Sequence, residues 1–375
     1  MMKDLLTPRI PSSPLLSLKH LIDALCNREL HYVFLKDVKL VSHTRSAITI
    51  WVQEHLKRQD RIYIPSYICS DVTEPLEAIG QFISYYPCQQ NLEPDWTWLE
   101  ENVSDDSKAL LLVHYFGFPN NLTDALKFSN RHNLFLLEDC AHSFLTNIDG
   151  SNIGTFGTAG FYSYHKLLPI PNGAGIYDTQ TVIANIEKYF HSKASRNIIE
   201  WTKLITIWVI HKLYLTSLTW RFITTSYHKV IQPNPIIKPS AMSRLSQKVM
   251  RSSQKNFQKI IEYRRRNYSV LSKELETLEN LTVLFPNLEE GVCPYALPIL
   301  VGTPDSYIAF LNKKGITAQK WPELPPDVVK NAMFSTSIAY SSKLILLPVH
   351  QNLSIKSIYK IADAMKLAHT IADHF

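Results

Sequence analysis

Glycine and cysteine are both scarce in this chain of 375 residues. With only 11 glycines in all, the short cluster at 172–175 (Asn-Gly-Ala-Gly) stands out. The five cysteines are odd in number and form no Cys-x-x-Cys pair; they are Cys26, Cys69, Cys88, Cys140 and Cys293. This pattern argues against a disulfide framework and predicts reduced thiols in the cytoplasm.

Continuous apolar runs are short. The first 16 residues lack the apolar core and the cleavage site of a signal peptide. The most apolar stretch, 204–226, is interrupted by His211, Lys212 and Arg221, so it is too short and too charged to span a bilayer. We expect a core or dimer-interface helix there, with a helix lying on the membrane surface as the alternative.

The charge balance is mild, since 19% of the residues are charged and the formal net charge is +6. Positive charge is spread along the chain, with one dense run at Arg264, Arg265 and Arg266. No nucleic-acid-binding motif accompanies this run, so we interpret it as a solvated helix face and expect no nucleic-acid partner. The 45% hydrophobic content is typical of a soluble globular protein.

Two continuous apolar runs, 109–114 and 134–138, predict strands that are buried on both faces. The segment between them, 122–132, has helical spacing, and 159–164 predicts a further strand. This order predicts an α/β fold with a parallel sheet covered by helices, in which ligands bind beyond the carboxyl ends of strands. Three residues with functional side chains fall at such ends: His114, Asp139 and Ser163.

The remaining elements follow from apolar spacing and from prolines. We expect helices at 15–30, 44–57, roughly 243–280 and over the last 20 residues, and strands at 62–64, 282–285, 296–301 and 343–347. Three prolines between 233 and 239 predict a linker within 232–245. The chain would then divide into a large domain, 1–238, and a small domain, 239–375, on which the N-terminal helix is a candidate to pack.

Asp139 and Lys166 are two residue types that pyridoxal 5′-phosphate requires. A lysine holds the aldehyde as a Schiff base, and a carboxylate pairs with the protonated pyridine nitrogen. Asp139 ends a buried strand, where an unpaired carboxylate is costly, so it needs a partner. A helix-capping role for Asp139 and a solvated position for Lys166 are the ordinary alternatives.

Five further residues fit such a pocket: Ser46, Ala47, Ala141, His142 and Ser163. Ala141 is small enough to lie flat against a cofactor ring, and His142 could bond the 3-oxygen of that ring. The hydroxyl groups of Ser46 and Ser163 and the backbone N–H of Ala47 could bind a phosphate. Helix N-termini bind anions because their first N–H groups are unsatisfied.

These residues lie in motifs that resemble the DegT/StrS-type sugar aminotransferase family, within the aspartate aminotransferase-like fold. The similar segments are TRSAI (44–48), IYIPSYICSDV (62–72), LLVHYFGFPNNL (111–122), LLEDCAHSF (136–144) and NIGTFGTAGFYSYHK (152–166). Weaker similarity continues beyond residue 264, so the resemblance covers most of the chain in one order.

The resemblance implies a mostly parallel large domain that binds pyridoxal phosphate, with a smaller α+β C-terminal domain. It places the Schiff base on Lys166, Asp139 at the pyridine nitrogen, His142 near the 3-oxygen, and Ser46, Ala47 and Ser163 at the phosphate. It also implies a cytoplasmic homodimer. The reaction would transfer an amino group from an amino acid, typically glutamate, to a nucleotide-linked keto-deoxysugar for surface polysaccharide synthesis.

The chain departs from the family pattern at four places. Many members have two more residues between the serine and the lysine than this chain has between Ser163 and Lys166. Asn172 stands where an acidic residue is common before the glycines. Cys69 occupies the usual position of an aromatic residue that stacks on the ring, with Tyr67 as a possible substitute. The segment that a partner subunit contributes, Gly-Tyr-Asn-Tyr-Arg, is replaced by PSAMSRLS at 239–246.

Three other functions remain open on sequence grounds. Sugar dehydratases of this type replace the lysine with histidine, and His165 is adjacent to Lys166. A degenerate, non-catalytic regulator or scaffold at the membrane would use the aromatic and basic region that contains 204–226. A metal hydrolase could use His114, Asp139 and His142, although it would leave Lys166 without a role.

Overall fold

The computed structural model of the protein describes residues 9–26, 38–180, 186–190, 201–202, 205–206 and 239–372. Almost all of the 204–226 stretch and the first half of the expected linker at 232–245 lie outside these residues. Among the helices that are described, none is both long enough and apolar enough to cross a membrane.

The larger of the two main sheets has seven strands. The strands of the first half are β1 (Lys39–Val41), β2 (Arg61–Pro65), β3 (Phe82–Tyr86), β4 (Ser107–Val113), β5 (Phe135–Cys140), the hairpin pair β6 (Asn147–Ile148) and β7 (Ser151–Asn152), β8 (Ala159–Ser163) and β9 (Ala174–Asp178). Without the hairpin pair, the sheet order is β1-β9-β8-β5-β4-β2-β3. Five of these strands, β3, β2, β4, β5 and β8, are mutually parallel. Strand β9 is antiparallel to both of its neighbours, β8 and β1.

Helices accompany this sheet as the β-α-β pattern predicted. They are α1 (Leu18–Cys26), α2 (Thr44–His55), α3 (Ser70–Ala78), α4 (Trp96–Asn102), α5 (Leu122–Arg131) and the single turn α6 (Tyr164–Leu167). The central strands β4 and β5 are almost wholly buried, because continuous apolar sequence fits a strand that is covered on both faces. The α/β fold with a mostly parallel sheet is therefore confirmed.

The second main sheet is antiparallel and lies within residues 239–372. Its strands are β10 (Thr282–Val283), β11 (Ala296–Leu300), β12 (Gln319–Lys320) and β13 (Leu344–Pro348), in the order β10-β11-β13-β12. The helices here are α7 (Arg244–Ser253), α8 (Phe257–Leu275), α9 (Pro304–Lys313), α10 (Pro326–Val329), α11 (Ser335–Lys343) and α12 (Ile355–Ala372). The N-terminal helix α1 packs against α7, and Ile10 forms a β-bridge with Ile316.

The prediction of one long helix over 243–280 is wrong. Helix α7 ends at Ser253, a 3₁₀ turn follows, and α8 begins at Phe257. The hydroxyl groups of Ser252 and Ser253 both donate to the carbonyl of Val249, at 2.9 and 2.7 Å. Such side-chain bonds compete with the regular helix ladder, and we attribute the break to them.

The interpretation of the arginine run as a solvated helix face is also wrong. Arg264 is fully buried and donates to the carbonyls of Pro294 and Tyr295, at 3.1 and 3.0 Å. Arg265 donates to the carbonyls of Glu289 and Val292. The loop before β11 presents backbone carbonyls to α8. The guanidinium groups of Arg264 and Arg265 donate hydrogen bonds to these carbonyls.

Candidate active site

A cavity of about 280 Å³ lies where the carboxyl ends of β4, β5 and β8 face the N-terminus of α2. Five of the residues chosen from the sequence line it: Asp139, Ala141, His142, Ser163 and Lys166. Ser46 and Ala47 lie in the first turn of α2, behind Thr44 and Arg45, which line the cavity. The sheet therefore brings together residues that are more than 100 positions apart.

Asp139 projects into this cavity from the end of β5. Its Oδ1 accepts a hydrogen bond from the backbone N–H of Ala141, at 2.9 Å. Burial raises the pKa of the Asp139 carboxyl, while the Ala141 N–H and the nearby Lys166 oppose that rise. Burial therefore favours the neutral form of this carboxyl group, and a cationic ligand would stabilise its charged form.

The preceding residue, Glu138, projects to the opposite face of β5 because side chains alternate along a strand. Its carboxylate accepts bonds from the N–H groups of Gly154, Phe156 and Gly157, at 2.9, 2.8 and 2.6 Å. His114 Nε2 lies 3.1 Å from the same carboxylate. The loop that leads into β8 is therefore held by one buried acid.

Of the three residues considered for a metal hydrolase, Asp139 and His142 line the cavity, whereas His114 belongs to a separate buried group. His114, Glu138 and Cys140 do place ligand atoms within 4.8 Å of one another. However, His114 Nδ1 accepts from the N–H of Asn120, and His114 Nε2 faces the Glu138 carboxylate. Burial also raises the pKa of the Cys140 thiol far above its usual value. This group is a structural hydrogen-bond cluster, and it faces away from Asp139.

Lys166 is held in the cavity by a histidine. Lys166 Nζ lies 2.7 Å from His142 Nε2, and the backbone N–H of Phe116 donates to His142 Nδ1 at 3.4 Å. Because Nδ1 is an acceptor, the proton of the neutral imidazole belongs on Nε2, which then donates to the lysine amine. Desolvation lowers the pKa of Lys166, against the opposing effect of Asp139, and it also lowers the pKa of His142.

Aromatic side chains surround this lysine–histidine pair. The ring of His142 stacks on Tyr295, with centroids 4.7 Å apart, and lies nearly parallel to Phe116 at 5.5 Å. Trp321 meets the His142 ring edge-on at 5.0 Å and also lines the cavity. These neighbours limit the access of water to the amine and hold the imidazole in one orientation.

The turn that carries Lys166 is fixed from two sides. Gln351 donates from Nε2 to the carbonyl of Leu167 at 2.9 Å, and its Oε1 accepts from Arg264 Nε at 2.9 Å. On the other side, the carbonyl of Gly173 accepts from the N–H of Tyr164. Gly173 has φ +148°, a backbone conformation that residues with a Cβ rarely adopt, so this position favours glycine.

The first turn of α2 presents polar groups at one end of the cavity. The hydroxyl oxygen of Ser46 is buried and has no hydrogen-bond partner in the described part of the chain. The N–H of Ala47, in contrast, already donates to the carbonyl of His43 at 3.1 Å. The N–H groups of Thr44, Arg45 and Ser46 precede the first helical bond, which leaves them available to an anion.

The departures noted in the sequence have clear positions. Tyr67 is fully buried and donates its hydroxyl to the carbonyl of Trp321, so it does not replace the missing stacking residue. Cys69 lines the cavity, and desolvation raises the pKa of its thiol. Asn172 is buried and accepts from the N–H of Ser243, which ties it to the 239–246 segment.

Sequence reasoning did not choose several residues that line or cover the cavity, among them His43, Arg45, Tyr295 and Trp321. His43 and Arg45 flank positions that were chosen, so the same motif contained them. Tyr295 and Trp321 come from residues far along the chain and had no local pattern to mark a site.

The match to a protein-family model covers the strands that build this site. Residues 77–194 match the model described as the DegT/DnrJ/EryC1/StrS aminotransferase family, and they include both Asp139 and Lys166. The resemblance read from the motifs is confirmed.

Similar proteins with curated names include GDP-4-keto-6-deoxy-D-mannose 3-dehydratase from Escherichia coli O55:H7. It is 32% identical over 125 residues, which is 32% of this chain and 32% of that protein. The alignment therefore spans about a third of the length of this relative.

Solved structures extend the likeness in fold to nearly the whole chain. The Helicobacter pylori aminotransferase PseC, involved in the biosynthesis of pseudoaminic acid, has a TM-score of 0.70 at 16% identity and covers 97% of this chain and 100% of its own. The E. coli GDP-4-keto-6-deoxy-D-mannose-3-dehydratase with bound hydrated PLP has a TM-score of 0.67 at 17% identity and covers 95% and 100%. The chain shares its fold with both of these enzymes.

Proposed function

We propose that this protein is a pyridoxal 5′-phosphate-dependent aminotransferase. The observation that carries the proposal is the pairing, in one cavity, of a buried lysine amine, whose pKa is lowered by desolvation, with a buried carboxylate that has no salt-bridge partner among the described residues. The match of residues 77–194 to the aminotransferase family model supports it independently.

The cavity fits the cofactor by the chemistry of its donors. Bound pyridoxal phosphate supplies an aldehyde that an amine can capture and a ring that accepts electrons. Asp139 would hold the ring nitrogen in its protonated state, and Ala141 would lie against the ring. Ser46, Ser163 and the N–H groups at the start of α2 would bind the phosphate, and Ala47 would support that turn.

The residues of this chain would divide the work of proton transfer. Lys166 Nζ, whose pKa is lowered by desolvation, would in its neutral form attack a carbonyl carbon and take the proton from the α-carbon of the amino-acid substrate. His142 orients that amine through the 2.7 Å contact and stands where it could also bond the 3-oxygen. Tyr295 and Trp321 would exclude water, which strengthens electrostatic interactions inside the site.

The substrates and the assembly are proposals of the same kind. We infer an amino-acid donor, with glutamate as the first to test, and a nucleotide-linked keto-deoxysugar acceptor in surface polysaccharide synthesis. We also infer a homodimer, because the family resemblance implies a contribution from a partner subunit. A cytoplasmic location fits the five free thiols.

One observation favours a second candidate, a sugar dehydratase. A relative and a structural neighbour carry the name GDP-4-keto-6-deoxy-D-mannose 3-dehydratase, and His165 lines the cavity beside Lys166. His165 Nδ1, however, lies 3.1 Å from Ser163 Oγ, at the end of the cavity near α2. That position suits a phosphate contact better than a base at the reacting carbon.

A direct test uses the purified protein and pyridoxal phosphate. We expect a yellow absorbance that borohydride removes, with the reduced cofactor found on the peptide containing Lys166 by mass spectrometry. Lys166→Ala should abolish this label, whereas Lys127→Ala, at an exposed lysine on α5, should retain it. A wild-type protein that binds no cofactor, or a Lys166→Ala variant that keeps the label, would contradict the proposal.

Amino donors then separate the two candidate reactions. Addition of glutamate to the loaded aminotransferase should convert the absorbance to that of the pyridoxamine form and produce one equivalent of 2-oxoglutarate. A dehydratase would release a dehydrated sugar without net transfer of the amino group. Dehydration of a keto-deoxysugar without amination of the product would overturn the aminotransferase assignment and leave the cofactor assignment intact.

A further inference from the structure

The start of α2 has an unusual concentration of polar atoms without partners. Among the described residues, His43 Nδ1, Arg45 Nε and Ser46 Oγ are all buried and lack a hydrogen bond. Buried polar atoms are almost always bonded, so each exception needs an explanation. Three exceptions within four consecutive positions indicate a ligand that supplies the missing contacts.

The backbone at the same place favours an anion. His43 is the residue before the helix and has extended backbone angles, φ −142° and ψ 148°, with no side-chain cap bond. The Thr44 hydroxyl donates to the carbonyl of Tyr162, which fixes the helix start against β8. The free N–H groups of the first turn and the positive end of the helix dipole then face the cavity.

A second histidine closes this end of the cavity. The rings of His43 and His165 lie 6.0 Å apart at 66°, and both residues line the cavity. His165 Nδ1 contacts Ser163 Oγ at 3.1 Å. The unsatisfied end of the cavity therefore has two imidazoles, two serine hydroxyls and the side chain of Arg45 around it.

We propose that His43 and His165 are ligands of the cofactor phosphate and that they take up protons when this dianion binds. The proposal rests on the proposed function, since it assigns the phosphate of pyridoxal phosphate to this end of the cavity. Retention of the cofactor would then depend on pH, because the two histidines would bind the phosphate. Neither histidine is required for capture of the aldehyde by Lys166.

The charges around the two histidines explain why they are neutral without the anion. Burial lowers the pKa of His43 to about 3 and that of His165 to about 4. Lys166 and Arg45 lower the pKa of His165 further, whereas the pKa of a histidine beside a bound dianion rises. The remaining titratable groups of the cavity are Asp71, which pairs with Arg45 at 2.8 Å, Cys69, Asp139 and His142.

Sulfate is the probe that isolates this effect, because it remains a dianion throughout the working range of pH. Its affinity for the cofactor-free protein, measured by isothermal titration calorimetry between pH 8 and pH 6, should rise as the pH falls. The increase should be up to about tenfold per pH unit for each proton taken up. Titrations in buffers of different ionisation enthalpy should give a net uptake of one to two protons per sulfate.

Two variants and one control assign the protons to residues. His43→Asn keeps a residue that caps helices well, and His165→Asn keeps an acceptor near Ser163 Oγ. Each should take up fewer protons per sulfate than the wild type. His132→Gln, at the C-terminal end of α5 where the histidine pairs with Glu100, should behave as the wild type. Thermal unfolding checks that each variant is folded.

The outcomes separate this proposal from the proposed function. Zero proton uptake by the wild type, or unchanged uptake in both asparagine variants, overturns the role of the histidines. If one variant fails to fold, the proton uptake of the wild type and of the other variant tests the role of the histidines. Pyridoxal, which lacks the phosphate, tests the rest of the site: its label on Lys166 should be insensitive to both variants. Absence of any label with pyridoxal or pyridoxal phosphate would instead contradict the proposed function.

Discussion

At the scale of single residues, Glu138 and Asp139 are adjacent buried carboxylates in different environments. Glu138 accepts four hydrogen bonds, three from loop N–H groups and one at His114. Asp139 accepts one, from Ala141. A carboxylate with all its acceptor positions used stabilises the fold, whereas one with few partners is available to a ligand.

Glu138→Gln should destabilise the protein strongly. The amide would place N–H groups against backbone N–H donors and leave at least one of them unsatisfied. We expect a loss of about 3 kcal/mol in the free energy of unfolding, measured by urea denaturation. Glu101→Gln, at an exposed position on α4, should change it by less than about 0.5 kcal/mol. Equal effects of the two changes would show that the loop bonds contribute little.

Asp139→Asn should preserve the stability of the protein but reduce its activity. The amide oxygen can still accept from the Ala141 N–H, and removal of a buried charge eliminates its desolvation cost, so the stability should be kept or increased. Without the negative charge at the ring nitrogen, turnover should fall by about 10²- to 10⁴-fold. Steady-state kinetics with saturating pyridoxal phosphate measures this. A variant with wild-type turnover would exclude Asp139 from the role assigned to it.

The residues of the site were only partly predictable. Asp139 and Lys166 follow buried strands, so their chemistry was visible from local sequence. Arg264 was misread because the carbonyls that bury it belong to residues 30 positions away. Trp321 and Tyr295 meet His142 through tertiary packing alone, which no spacing within the sequence encodes.

At the scale of elements, the one-turn helix α6 depends on a residue from the far end of the chain. Gln351 joins the carbonyl of Leu167 to the guanidinium of Arg264. A helix of four residues has little stability of its own, because helix formation has a costly nucleus. The position of Lys166 therefore depends on hydrogen bonds made by Gln351 and Arg264.

Gln351→Ala should loosen this turn. It removes one bond to Leu167 and one to a buried guanidinium, and we expect a loss of about 2 kcal/mol in stability together with slower labelling of Lys166 by pyridoxal phosphate. Gln351→Glu should recover the stability through Arg264 but not the labelling rate, because it cannot donate to the Leu167 carbonyl. The adjacent exposed change Asn352→Ala serves as the control. Full recovery of both properties by Glu would mean that the bond to Leu167 is unimportant.

Elements with continuous apolar sequence were predicted well, and those without it were not. Strands β4, β5 and β8 lie within one or two residues of their expected ranges. Strand β3 is half exposed and was missed, since its apolar residues do not form a continuous buried run. The division of the 243–280 helix depends on the hydroxyl bonds of two serines, a choice that helical spacing does not reveal.

At the scale of the whole molecule, three buried histidines make stability depend on pH. The pKa of His43 is lowered to about 3, that of His165 to about 4, and that of His142 well below its usual value. Unfolding returns each to about 6.5, so the unfolded chain binds more protons below that pH. The stability gained by keeping these histidines neutral is fully present above about pH 6.5. It is lost as the pH falls toward their pKa values in the folded protein.

The cofactor-free protein should therefore lose stability between pH 7.5 and pH 5.5. Each histidine should contribute up to about 1.4 kcal/mol per pH unit below pH 6.5. His55 acts in the opposite sense, because Asp178 raises its pKa. Urea denaturation across this range, with His165→Asn for comparison, measures the slope. A flat profile, or the same slope in the variant, would contradict the assignment.

The alternation of side chains along β5 constrains how this chain can vary through evolution. An insertion or deletion of one residue within the strand would exchange the two acids, directing the loop-binding carboxylate into the cavity and the cavity carboxylate into the loop. Both the folding partner and the ligand partner would be lost in one event. Length changes tolerated by descendants of this sequence should therefore fall in the connections on either side of β5, with the Glu-Asp pair kept in phase.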